Sequence, residues 1–322
     1  MKYTRLGRSG LKVSRIGLGC MSYGRAVAGM HQWTLDEDAA APFFEQAVEL
    51  GVTFWDTANV YQGGTSEEFV GRAVREYSRR EDIVLATKVH GKMHDGPGGS
   101  GLSRKAILEQ LDESLRRLGT DYVDVYYLHR FDDEVPVEET MEALHDVVKA
   151  GKVRYLGASS MWAWQFGKMQ HIAELNGWTM FSAMQDQYNV LRREEERDMI
   201  PFCLDQRVGL TPYSPLAKGR AARPRGEQTA RSSADAVAKA FDRDVDAPVV
   251  DAIQKIADAR ALPMAQIALA WVLSKPAVSC PIVGATRPNH LEDAAAALDV
   301  ELTPDEITWL EQPYTAQDNY WW

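Results

Sequence analysis

Ile83-Val84-Leu85-Ala86-Thr87-Lys88, followed by a helical segment over 106–118 with Ser103 ahead of it and Gly119 behind it, and then Val123-Asp124-Val125-Tyr126-Tyr127-Leu128-His129, is the stretch on which the fold turns. The two apolar runs are short and rich in β-branched and aromatic residues, which reads as strand. The segment between them spaces its apolar residues at helical intervals, with a side-chain cap at its start and a glycine at its stop. A strand, a crossover helix and a second strand in that order make one βα unit of a parallel sheet. Working outward, similar runs at 16–20, 53–56, 153–159, 183–187, 209–213 and 280–283 bring the count to eight strands. Eight units with a crossover helix each close an α/β TIM barrel of (β/α)8 type, and an open doubly wound sheet is the alternative.

Smaller signals fill in the outline. Ser66 with Glu67 and Glu68 reads as a helix start, and Gly151 as a helix stop. Segments 2–5 and 11–14 flank a turn between Gly7 and Gly10, an N-terminal β-hairpin placed to plug one end of the barrel. Two long connections, 21–36 and 214–247, are rich in Gly, Arg, Ser and Asp and read as lids or binding loops. Neither an internal repeat nor a linker is visible, so a single barrel domain over 1–322 is expected.

Composition narrows the function classes. The 322 residues exceed the roughly 250 that such a barrel needs. With 45% hydrophobic and 25% charged residues the chain has ordinary globular composition, which excludes a disordered protein. Cys20, Cys203 and Cys280 are widely separated, with no CxxC pair and no His-rich spacing, so no metal site is expected. Met1 to Gly10 has no signal-like apolar core, and no run reaches the roughly 18 apolar residues of a membrane span, so the expectation is a cytoplasmic protein. A net charge of -10 argues against nucleic acid and anionic membranes as partners. A small-molecule substrate is expected instead, with homo-oligomerisation left open.

Four polar residues stand at or just past the C-terminal ends of predicted strands, where barrel enzymes build their sites: Asp56, Tyr61, Lys88 and His129. Each has a plainer reading: Asp56 as a cap, Lys88 as a solvated strand end, His129 as a core histidine, Tyr61 as wall packing. Their convergence on one rim favours chemistry. A lysine ending an apolar run needs a carboxylate partner, which Asp56 on the neighbouring strand supplies. A tyrosine beside that lysine is expected to have a lowered phenol pKa, as suits a general acid for a carbonyl oxygen, and the histidine to orient that oxygen. With no nucleophile and no metal cluster, hydride must come from a cofactor.

The run Gly51-Val52-Thr53-Phe54-Trp55-Asp56-Thr57-Ala58-Asn59-Val60-Tyr61 resembles the signature of the aldo-keto reductase family. Leu128-His129, Gly157-Ala158-Ser159 and Pro212-Tyr213-Ser214-Pro215-Leu216 extend the likeness, which runs from about Arg5 to Ala297. Gly19-Cys20-Met21-Ser22-Tyr23-Gly24 and Tyr188-Asn189-Val190 resemble the bacterial aryl-alcohol-dehydrogenase-like branch, close to a member held to form 1-deoxyxylulose 5-phosphate. The resemblance implies an NADPH-dependent oxidoreductase with Asp56, Tyr61, Lys88 and His129 as its tetrad. It implies nicotinamide contacts from Ser159, Ser160 and Gln185, with Tyr213 stacked on the ring. Further cofactor contacts are implied at Ser214, Pro215, Leu216, Lys218, Gly219, Arg220 and Arg231. A last group, Val283, Gly284, Thr286, Arg287, His290 and Asp293, is implied around the adenosine, with Arg287 meeting the 2′-phosphate. Ser160 departs from the family's usual Asn, and His290, Asp293 and Ala294 depart from its usual Gln, Glu and Asn.

Tyr23, Trp33, His90 and Arg130 are expected at the substrate mouth, with Arg130 meeting an anionic substrate group such as a sugar phosphate or pairing with Asp132 or Asp133. The Trp162, Trp164 and Phe166 cluster reads as helix packing, and the charged run Arg192–Arg197 as a solvated helix start. Two rival functions stand beside carbonyl reduction. One is a cofactor-binding regulatory barrel with little turnover, like channel β-subunits; the other is a lyase using Lys88 as a Schiff base, which an ion pair with Asp56 disfavours.

Overall fold

The computed structural model describes residues 1–27, 32–227 and 243–318. It opens with an antiparallel hairpin of β1 (Tyr3–Arg5) and β2 (Lys12–Ser14). Eight parallel strands follow: β3 (Gly17–Gly19), β4 (Phe54–Asp56), β5 (Val84–Val89), β6 (Val123–Leu128), β7 (Val153–Ser159), β8 (Phe181–Gln185), β9 (Gly209–Leu210) and β10 (Ile282–Val283). Each pairs with the next in sequence from β3 to β9, and β10 pairs with β3. The ring closes between the last two through parallel bridges Leu210 to Val278 and Tyr213 to Ile282, with the Ile282 N–H donating to the Pro212 carbonyl at 2.8 Å. A closed (β/α)8 barrel, not an open sheet, is therefore the fold.

Helices among the described residues are α1 (Glu37–Glu49), α2 (Thr65–Tyr77), α3 (Arg104–Leu118), α4 (Val137–Lys149), α5 (Ala163–Asn176), α6 (Met199–Gln206), α7 (Ala247–Arg260), α8 (Met264–Leu273), α9 (Asn289–Ala296) and α10 (Pro304–Glu311). Ser103 caps α3 by accepting the Ala106 N–H, and Gly119 ends it in the left-handed conformation. Ser66 does not cap α2. That helix starts from Gly64, while the buried Ser66 hydroxyl donates to the Cys20 carbonyl and so ties α2 to the end of β3.

Side chains alternate across each strand, and that period of two builds the site. Phe54, Val84, Ala86, Val125, Tyr127 and Ala183 fill the barrel interior, joined by Leu6 and Val13 of the hairpin. Their neighbours Trp55, Leu85, Val89, Tyr126 and Leu128 pack outward beneath the helices. The hairpin plugs the N-terminal end of the barrel: the Arg8 N–H donates to the Arg207 carbonyl just ahead of β9. A Cβ on Gly7, at φ 56, would lie 2.6 Å from the same oxygen. Inside, a Cβ on Gly157 would lie 2.3 Å from the Tyr127 ring, so glycine there is what lets tyrosine fill the barrel.

Two expectations outside the site are corrected. Within 192–197, Arg192, Glu194 and Glu195 are buried, because the tail after α10 folds over them: Tyr314 and Gln317 donate to Glu194, and Arg192 donates to the Asp318 carbonyl. Of the aromatic cluster only Phe166 is core. Trp162 and Trp164 are exposed, with the Trp164 ring 6.2 Å from that of Phe131.

Candidate active site

Asp56 lies two positions past Phe54, Lys88 two past Ala86 and His129 two past Tyr127, so the same alternation that fills the barrel points all three inward at its C-terminal end. Tyr61 follows β4 in a short 3-10 turn. The ammonium of fully buried Lys88 donates to Asp56 Oδ2 at 2.5 Å, to the Thr57 carbonyl at 2.9 Å and to the Tyr61 hydroxyl at 3.3 Å. The Tyr61 and His129 rings meet edge to face, 5.7 Å apart. Gln185, from the far side of the barrel, donates its amide to Asp56 Oδ1 at 2.9 Å.

Electrostatics follow from this packing. Burial presses the Lys88 ammonium toward neutrality, but the charge and hydrogen bonds of Asp56 and Tyr61 outweigh it and hold the ammonium above its ordinary value. That disfavours a Schiff-base role. The Tyr61 phenol is raised, not lowered as expected: burial dominates, Asp56 adds to it, and the opposing pull of Lys88 is not enough. Burial, together with Lys88, Arg130 and His90, pushes His129 well below its ordinary value, so its imidazole is neutral at physiological pH. Among the described residues no cluster of His, Cys, Asp or Glu is disposed to hold a metal.

A cleft of about 900 Å³ opens above these groups, floored by Asp56, Tyr61 and His129. Lys88 lies behind that floor, its ammonium in contact with the Tyr61 hydroxyl. Ser159, Ser160, Gln185 and Tyr213 line the inner part of the cleft. Ser214, Pro215, Leu216, Lys218 and Gly219 line a second stretch, and Val283, Gly284, Thr286, Arg287, His290 and Asp293 a third. The 214–219 segment is conformationally special: Ser214, Ala217 and Lys218 all have positive φ, at 50, 49 and 56°. Asn189 holds it by donating to the Ser214 carbonyl at 2.9 Å. Strained backbone of this kind collects at ligand clamps. Near the third stretch, Asp293 accepts from Gln266 and Asn289, and the Thr286 N–H donates to His290.

Several expected residues fall elsewhere. Arg220 turns away from the cleft and pairs with buried Asp246 at 3.0 Å. Arg231 lies outside the described residues. Tyr23 is no substrate wall. It is fully buried against Phe43 and Phe44, because these two rings of α1 close over it. Met21 and Ser22 line the cleft in its place. Trp33 and Arg130 line it as well, whereas half-buried His90 does not; it sits beside Arg130 and Asp132. Gln187, just past β8, lines the cleft and was missed by the sequence reading, although the alternation carried its signal, since it is two past Gln185 and so returns to the inner face. Asp186, buried beside it on the opposite parity, left no such signal.

Comparison with known proteins gives the family. The family model described as "Aldo/keto reductase family" matches residues 15–314. Versiconal hemiacetal acetate reductase of Aspergillus parasiticus is 44% identical, covering 98% of this chain and 97% of that protein. Aldo-keto reductase AMT2 of Alternaria alternata is 42% identical over 98% and 92%, and a putative aryl-alcohol dehydrogenase of Schizosaccharomyces pombe 40% identical over 97% and 95%. The chain belongs to the aldo/keto reductase family and is an oxidoreductase of carbonyl groups. Its close relatives are fungal reductases and aryl-alcohol dehydrogenase-like proteins, so the bacterial branch and the likeness to a former of 1-deoxyxylulose 5-phosphate are corrected. A regulatory barrel with little turnover finds no support among them.

Proposed function

We propose that this protein reduces an aldehyde or ketone to an alcohol with NADPH, using Tyr61 as the general acid. The observation that carries the reading is the chain of contacts Asp56–Lys88–Tyr61, opening beside neutral His129 onto the cleft. The donor set along the cleft fits a dinucleotide. Hydroxyls of Ser159 and Ser160 lie at the catalytic end, the positive-φ backbone of 214–219 suits a pyrophosphate, and the cations of Lys218 and Arg287 suit phosphate. The reduced nicotinamide supplies hydride to the carbonyl carbon. The chain does the rest: Tyr61 places its hydroxyl proton on the carbonyl oxygen, Lys88 stabilises the phenolate left behind, Asp56 fixes and charges Lys88, and neutral His129 donates a hydrogen bond that orients the oxygen.

For the substrate, the names of the relatives support an aromatic aldehyde or hemiacetal, while Arg130 in the cleft wall supports an anionic substituent such as a sugar phosphate. The same proposal places the protein in the cytoplasm, where its three buried, unpaired cysteines suit a reducing milieu. The test is NADPH oxidation at 340 nm with purified protein and a panel of aromatic aldehydes, aliphatic ketones and sugar phosphates. Turnover of at least one class is expected. Absence of turnover across the panel, with NADPH bound, would overturn the reading.

A further inference from the structure

Asp186 lies one residue beyond β8, behind the inner wall of the cleft, and is fully buried. Its Oδ1 accepts the Ser160 N–H at 2.7 Å, and its backbone carbonyl accepts the Tyr213 N–H at 3.0 Å. One residue thus ties together two that line the cleft. Ser160 sits at φ 52°, a conformation that costs a serine energy and persists only where its surroundings hold it. The Ser160 hydroxyl in turn meets Ser159 Oγ at 3.2 Å and the Tyr213 hydroxyl.

The other oxygen of Asp186 is buried with no hydrogen-bond partner. Burial of a carboxylate satisfied on one side only favours its neutral form. Facing it are Arg130 beyond β6, Arg192 beyond β8, Asp198 and Cys203 at α6, and Tyr213 beyond β9. Burial raises the carboxyl; the Ser160 N–H, Arg130 and Arg192 pull it back and Asp198 raises it, so that it titrates at about 7.

We propose that Asp186 is a positioning residue which holds Ser160 and Tyr213 in the wall and whose charge sets the preference of the cleft for oxidised over reduced nicotinamide cofactor. The inference rests on the NADPH reading above, which puts the nicotinamide against Ser159, Ser160 and Tyr213. The oxidised ring carries a positive charge that the reduced ring lacks. A carboxylate behind the wall therefore attracts the oxidised form, and a neutral carboxyl favours neither. The other groups near the ring hold their state through neutrality, since Lys88 and Tyr61 are raised and His129 is lowered. The cofactor's 2′-phosphate titrates at about 6, but it is common to both forms and cancels in their ratio.

The test is calorimetric titration of the wild type and of Asp186→Asn with NADP+ and with NADPH, at steps between pH 6 and 8. The asparagine keeps an acceptor for the Ser160 N–H and removes the charge. In the wild type the ratio Kd(NADP+)/Kd(NADPH) is expected to fall roughly three- to tenfold as pH rises, which corresponds to a largely screened charge–charge attraction of about 0.7–1.4 kcal/mol. In Asp186→Asn the ratio is expected to stay flat. Wild type binding both nucleotides with a flat ratio, or a variant keeping the wild-type slope, overturns this inference alone. Wild type binding neither nucleotide overturns the NADPH reading and the inference with it. Should Asp186→Asn not fold, the wild-type slope still decides.

Discussion

Gln185 donates its side-chain amide to Asp56 Oδ1 at 2.9 Å from the opposite side of the barrel, so both oxygens of the buried aspartate are held, the other by Lys88. The family resemblance gives Gln185 to the nicotinamide, but in this structure its amide is engaged below the cleft floor. Gln185→Leu is expected to cut kcat about ten- to hundredfold, as loss of a hydrogen bond to a charged group worth roughly 1.5–3 kcal/mol implies, while changing cofactor Kd little. Measuring kcat beside Kd for NADPH decides it. A variant with intact kcat and weakened cofactor binding would return Gln185 to the nicotinamide.

Lys88 and Asp56 carry a prediction about rate and one about stability. Lys88→Met should damage kcat/KM more than Asp56→Asn, since lysine acts on the phenol directly and aspartate acts through lysine. For stability the sign follows from Lys88, whose folded value is raised above the ordinary 10.5. Its contribution is fully present below that ordinary value and is lost only as pH climbs through the folded one. Asp56→Asn leaves the ammonium buried without its counter-ion, at a cost of about 3–5 kcal/mol near pH 7. Because burial alone then favours neutral lysine, part of that loss is expected to return by pH 10. Urea denaturation at the two pH values reads it, and an equal loss at both contradicts the proposed pairing.

Tyr61→Phe should bind NADPH nearly as the wild type does and lose several orders of magnitude in kcat, since only the proton donor is removed. The raised phenol adds a pH signature. The acid stays protonated throughout neutrality, so wild-type kcat for reduction is expected to be flat from pH 6 to 9 and to fall only above about 10. An alkaline limb near pH 8 in a single-turnover measurement would mean that the phenol is lowered after all.

How far the sequence leads differs between barrel and loops. All eight strands were legible because a parallel sheet buries both faces and its runs are continuous and apolar. The inward direction of Asp56, Lys88 and His129 was legible because they sit on or just past those runs, where period two fixes direction, while Tyr61 follows β4 in a turn. Tyr23 and Arg220 were misplaced because a loop has no period. What settled them was packing under α1 and an ion pair with Asp246, neither of which leaves a local pattern. Glu194 and Asp186 were missed for a related reason: a charged residue reads as solvated unless its distant partner is known, here the 314–317 tail and the Ser160 N–H.

Tyr23 and Trp33, neighbours in the same loop, should now behave oppositely. Tyr23→Ala removes a buried ring packed on Phe43 and Phe44 and is expected to cost about 3–5 kcal/mol of stability. Trp33→Ala opens the cleft and should raise KM for aromatic substrates by roughly tenfold, the scale of a lost aromatic contact, with little change in thermal midpoint. Thermal melts and KM values for both variants separate wall from core.

NADPH is expected to be preferred over NADH, although the chain carries a net charge of -10. Choosing between the two cofactors requires holding a 2′-phosphate of nearly two negative charges, which arginine does best. Arg287 stands in the cleft just after β10, two residues ahead of α9, and Asn289 and His290 beside it add polar groups. Lys218 also lines the cleft, but from the 214–219 segment that suits the pyrophosphate, which both cofactors share. Arg287 is thus the residue whose removal should discriminate. The side chain is exposed, which places its contribution at the weak end of charged hydrogen bonds. Arg287→Ala is therefore expected to raise KM for NADPH about five- to tenfold and to leave NADH almost unchanged. Exposure also predicts salt dependence. The wild-type preference should shrink between 50 mM and 500 mM salt, because screening weakens an exposed phosphate contact and leaves a buried one standing. Steady-state KM for both cofactors, with wild type and variant at the two salt concentrations, tests the assignment. A variant that loses NADPH and NADH in parallel would move Arg287 to the pyrophosphate.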